Sequence, residues 1–137
     1  MRGFTLIELL VVIALIGVLG SVLLVIIDPL GQIRKGRDTQ RKTDLAQIQR
    51  PLEFYYSDKG RYPELIPFGA EWKEADVVYM AKVPQDTLFP AQRYVYQAAA
   101  DGSWYTLYVR LELGGTNLEV NCPTSPCNYV VSSPNAP

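Results

Sequence analysis

Glu8 is an acid in an unexpected place. It lies in GFTLIELLVVIALIGVLG, residues 3 to 20, a run with no other charge. From Leu9 to Ile27 nothing is charged, and at about 1.5 Å per residue that run is long enough to cross a hydrocarbon core of about 30 Å. A carboxylate in such a helix is expensive to place in lipid and calls for a partner. Arg2 is the nearby basic residue, ahead of the helix. A cut between Gly3 and Phe4 would make another partner, a new amine about one turn from Glu8 in its own chain. A neighbouring chain shifted along the axis could bring its Phe4 amine to the same acid, and only that second route ties neutralisation to assembly.

Other groups offer less chemistry. Histidine is absent, which removes the commonest general base and metal ligand, so no catalytic residue, cofactor or metal is expected. The only cysteines, Cys122 and Cys127 in CPTSPCNY, are too few for a zinc site and too far apart for a redox CxxC pair. A small disulfide loop fits them, and with it an oxidising compartment; two free buried thiols are the plainer alternative. Glu71, Glu74, Asp76 and Asp86 have no calcium-loop spacing and read as a solvated acidic patch. The basic residues Arg34, Lys35, Arg37, Arg41 and Lys42 could meet DNA phosphates, neighbouring subunits or anionic lipid headgroups. With a net charge of -1 over 137 residues, composition makes no general case for nucleic acid.

GFTLIELLVVIALIGVL resembles the N-terminal signature of type IV pilins and their relatives, the pseudopilins of secretion and DNA-uptake systems. Gly3, Phe4, Thr5, Leu6 and Glu8 carry the match. The resemblance implies a leader of residues 1–3, cleavage by a prepilin peptidase after Gly3, methylation of the Phe4 amine, and a meeting of Glu8 with the Phe4 amine of a neighbour during assembly. It also implies an inner-membrane assembly platform with its ATPase, and a homo-oligomeric helical filament. Cleavage needs a cytoplasmic N-terminus, whereas Lys and Arg beyond the apolar run count the other way; the expectation is a single-pass inner-membrane protein, N-terminus in, held by membrane lipid before it enters an extracellular filament.

The elements follow from pattern. Residues 4–30 read as a membrane and filament-core helix in which Gly17 and Ser21 permit close helix approach, and Pro29 with Gly31 predicts a kink at its end. Residues 31–57 read as an amphipathic helix with Ile33, Leu45, Ile48, Leu52 and Tyr55 or Tyr56 on its apolar face and Asp38, Asp44 and Glu53 on exposed sides. Pro51 predicts a bend or a break after Gln49, and Gly60 with Pro63 a stop. RDTQRKTDLAQIQRPLEFYYSDKGRYP again resembles the pilins, with its paired aromatics, glycine turn and YP. Residues 58–137 read as a globular head: a short helix near Glu71 to Met80, a hairpin from RYVYQAA and WYTLYVRLEL across ADGS, and LEVN as a third strand. The fold class is α+β, a long N-terminal helix packed on a small antiparallel sheet, type IV pilin-like. The expected function is a structural pilin for adhesion, twitching motility or DNA uptake. A pseudopilin of a type II secretion system is the alternative, and a membrane-tethered binding domain a third reading.

Overall fold

The computed structural model describes residues 3–123 and 125–137. Two compact units divide the chain, Met1–Ile33 and Arg34–Pro137.

In the first unit, α1 (Leu6–Ile27) begins at Thr5, an extended N-cap. Its stretch Leu6–Leu23 is long and apolar enough to cross a membrane, and none of it is buried within the chain. At 22 residues it is about 33 Å long, close to a hydrocarbon thickness. It ends at Asp28, held in the left-handed region at φ 42°, and α2 (Pro29–Lys59) starts at the next residue. Proline suits that first helical position because its missing N–H would be unpaired there anyway. The Gly31 amide donates to Asp28 Oδ1 at 3.2 Å. A Cβ on Gly31 would lie 2.1 Å from Asp28 Oδ2, so glycine is there to admit the capping carboxylate.

In the second unit, α2 buries Asp38, Arg41, Asp44, Leu45, Ile48, Leu52 and Tyr55. Positions 38, 41, 45, 48, 52 and 55 alternate steps of three and four, one stripe of a helix. Three expectations change here. Ile33 is off that stripe and more than half exposed. Asp38 and Asp44 are buried rather than solvated. And α2 does not break after Gln49 but runs through Pro51 to Lys59. Proline there loses one helical hydrogen bond, while Ile48, Leu52 and Tyr55, all in the core, hold the helix on both sides of it. Burying each of those apolar side chains contributes about 1.5–3 kcal/mol. Gly60, at φ 71°, ends the helix, its amide donating to Tyr56 O at 2.8 Å.

The segment expected to be a helix near Glu71 is instead a hairpin, β1 (Trp72–Glu74) against β2 (Val77–Met80). Its Val-Val-Tyr run favours a strand, Ala75 takes φ 51° in the turn, and Trp72 and Tyr79, rings 5.2 Å apart, pack on Tyr55 of α2, Trp72 stacked and Tyr79 tilted. A three-stranded antiparallel sheet follows in the order β3 (Val95–Ala98), β4 (Tyr105–Val109), β7 (Tyr129–Ser132). LEVN is not its third strand; β7 is. Only Asn121 of that stretch is in a strand, β5 (Asn121–Cys122), which pairs with β6 (Ser125–Pro126) inside the cysteine loop. A six-residue cross-link folds the chain on itself there and leaves the central strand's free edge to β7. Tyr105, Leu107 and Val109 of β4 join Leu45, Ile48 and Leu52 in one core cluster.

Candidate functional site

Thr5 and Glu8 form a reciprocal capping box. The Thr5 amide and hydroxyl both donate to Glu8 Oε2 at 2.8 Å, and the Glu8 amide donates to Thr5 Oγ1 at 3.3 Å. The spacing Thr-x-x-Glu is the local signal for such a cap; reading Glu8 only as an acid in search of a cation missed it. Oε1 accepts nothing among the described residues. Phe4 is 89% exposed, and Gly3 has open space around it. Gly17 also faces open space, and Ser21 Oγ donates to Val18 O at 2.7 Å, which satisfies the hydroxyl without a second helix. The first unit thus presents a bare apolar helix that starts with a capped carboxylate holding one oxygen in reserve.

The second unit holds a charged cluster that the sequence reading had placed in solvent. Arg41, with 1% of its side chain exposed, donates to Asp86 at 2.7 and 3.3 Å, to Asp38 at 2.8 Å and to Glu112 at 2.9 Å. Arg37 adds a two-pronged bond to Glu112 at 2.6 and 2.5 Å. Asp38 in turn accepts the amides of Glu112 and Leu113. Burial works against the Arg41 charge, but its bonds to Asp86, Glu112 and Asp38 outweigh it and hold the guanidinium more firmly protonated than usual. The hydrogen bond from Arg37, opposed by burial and assisted by Arg41, pulls Glu112 down to about 2. The planar fork of arginine can serve several carboxylates at once, which an ammonium cannot. So Asp86 belongs to this cluster and not to an exposed acidic patch; Glu71, Glu74 and Asp76 are exposed. No group of three metal-ligating side chains is placed to hold an ion among the described residues.

Two further pairings fasten α2. The Tyr94 hydroxyl donates to Asp44 at 2.6 Å, and burial, with that bond, raises the phenol above its ordinary range. The Tyr62 hydroxyl bonds Glu53 at 3.0 and 3.1 Å. Cys122 and Cys127 are joined as a disulfide, Cα atoms 5.6 Å apart.

A membrane-length helix opening on a Gly-Phe-Thr-x-x-Glu start, followed by a helix laid on a small antiparallel sheet, defines the pilin-like class. The prokaryotic N-terminal methylation motif matches residues 1–24. Over 113 residues, 82% of this chain, it is 32% identical to the type II secretion system core protein G of Pectobacterium carotovorum subsp. carotovorum, covering 68% of that protein. Proteins of the same name from Dickeya chrysanthemi and Klebsiella pneumoniae are 39% and 40% identical over 62 residues, 45% of this chain and 39% and 43% of theirs. No solved structure gives a significant match. The chain belongs to the type IV pilin and pseudopilin family.

Proposed function

We propose that this chain is a non-enzymatic pseudopilin, a subunit of the pilin-like filament of a type II secretion apparatus. The match over 82% of its length to a protein of that name carries the reading, and it favours secretion over the adhesive, motile or DNA-uptake pilus that the sequence first suggested. In this reading a prepilin peptidase cuts after Gly3, the Phe4 amine is methylated, and α1 leaves lipid to pack with α1 of other copies. Lipid tails and other helices are comparably apolar, so helix burial alone supplies little net drive. Pairing of Glu8 with a neighbour's Phe4 amine removes a charge that lipid holds badly, and Oε1 is open to it. An outside motor, the platform and its ATPase, does the work of extraction.

Deleting the gene should stop export of secreted proteins and leave surface pili in place; lost pili with intact export would return the pilus reading. Mass spectrometry should find a chain starting at methylated Phe4, and a start at Met1 would favour the tethered binding domain. E8Q separates two roles of Glu8, because glutamine still caps Thr5 but carries no charge. E8Q should enter the membrane and fail to assemble, whereas normal filaments from E8Q would reduce Glu8 to a helix cap.

A further inference from the structure

Exposed charge on α2 is one-sided from residue 29 to residue 50; the exposed acids Glu53 and Asp58 come later in the helix. Arg34, Lys35, Lys42 and Arg50 are exposed, while the acids between them, Asp38 and Asp44, are buried and already bonded. Arg34 and Lys35 form no ion pair among the described residues. Lys35 and Lys42, with Thr39 between them at helical spacing, form one wall of a groove of about 490 Å³ whose other side is Leu113, Gly114 and Gly115. Gly114 and Gly115 stand at φ 114° and 124°, and a Cβ on Gly115 would lie 2.3 Å from Asn128 O, so only glycine fits this close turn. Neither of their amides donates to a partner among the described residues. The Lys42 ammonium sits 5.3 Å over the ring of Tyr129, which also lines the groove.

The groove therefore offers two ammonium groups and two backbone N–H groups without a partner among the described residues, beside apolar leucines and an aromatic ring; Asp38 also lines it, but its carboxylate is already bonded to Arg41 and to the Glu112 and Leu113 amides. We propose that it binds the phosphodiester headgroup of an anionic phospholipid. Charge complementarity selects an anion, the apolar wall selects an amphiphile, and Lys35 follows Ile27, the end of the membrane-length helix, by only eight residues. The contact holds the subunit on the membrane before it enters a filament, independently of which machine it serves.

The test uses the full chain in nanodiscs of phosphatidylcholine, with and without phosphatidylglycerol, and follows amide exchange of residues 111–117. Phosphatidylglycerol should slow exchange there, with each lysine worth about fivefold at low ionic strength. The effect should vanish in K35Q/K42Q, persist in K35R/K42R and fade with added salt. Equal exchange in the two lipids would overturn the proposal. Protection that tracks the number of copies per disc rather than lipid charge would also overturn it, and would assign the groove to a second subunit.

Discussion

Replacing Arg41 with methionine should be among the most damaging single changes in the head. The guanidinium is 1% exposed and stands between Asp86, 0% exposed, and Asp38 and Glu112, 10% and 15% exposed. Without it, among the described residues Asp86 keeps only the Leu88 amide at 2.8 Å, Asp38 keeps two backbone donors, and Glu112 keeps Arg37. Removing one partner of a buried ion pair destabilises by about 3–5 kcal/mol, because the charges left behind lose their compensation. Against a domain stability of about 5–15 kcal/mol that is a large fraction, and at about 4–8 °C per kcal/mol it lowers the melting temperature by roughly 12–40 °C. The assay is thermal unfolding of the full chain in detergent, followed by near-ultraviolet circular dichroism of the Tyr-Trp cluster. R41M/D86L should recover part of the loss, since an apolar pair of similar volume leaves fewer orphaned charges. R41K should behave more like R41M than like wild type, as an ammonium cannot hold three carboxylates in the fork geometry. A melting temperature for R41M within a few degrees of wild type would refute the reasoning, and so would R41K matching the native chain.

Two other outcomes follow from the same geometry. Glu112 titrates at about 2 in the folded chain against 4.5 unperturbed, so its contribution is fully present above about pH 4.5 and is lost as pH falls toward 2. By linkage that is at most about 3 kcal/mol; unfolding midpoints in urea measured from pH 6 down to 2 should fall less steeply in E112Q than in wild type, and parallel slopes would contradict it. The disulfide closes a loop of six residues from Cys122 to Cys127. By chain entropy C122S/C127S should lose about 2 kcal/mol, read as a lower urea midpoint that reductant reproduces in wild type but does not change in the double variant.

The second half of α2 shows how far local pattern reaches. Leu45, Ile48, Leu52 and Tyr55 could be placed on one face because helical period and hydrophobicity agree there, and the β3–β4 hairpin because ADGS turns between two Tyr- and Val-rich runs. The hairpin at Trp72 was missed because its acidic and basic residues gave no alternation; what makes it a hairpin is Trp72 and Tyr79 reaching Tyr55, 17 and 24 residues back along the chain. Glu8 was legible as chemistry, and its capping of Thr5 was legible too, in the Thr-x-x-Glu spacing.

The sequence by itself determined the apolar helix, the Gly3-Phe4 junction, the carboxylate at Glu8 and the family these define, since each depends on neighbours within a turn or two. Even the seats of Asp38 and Arg41 could be counted backward from Leu45 in steps of four and three. Whether those seats were buried could not be, because the charges that make burial tolerable, Asp86 and Glu112, lie 45 and 71 residues from Arg41. A polar group's burial depends on the partner that tertiary folding brings to it, and that pairing alone turned a stretch expected to be solvated into the most tightly bonded part of the head.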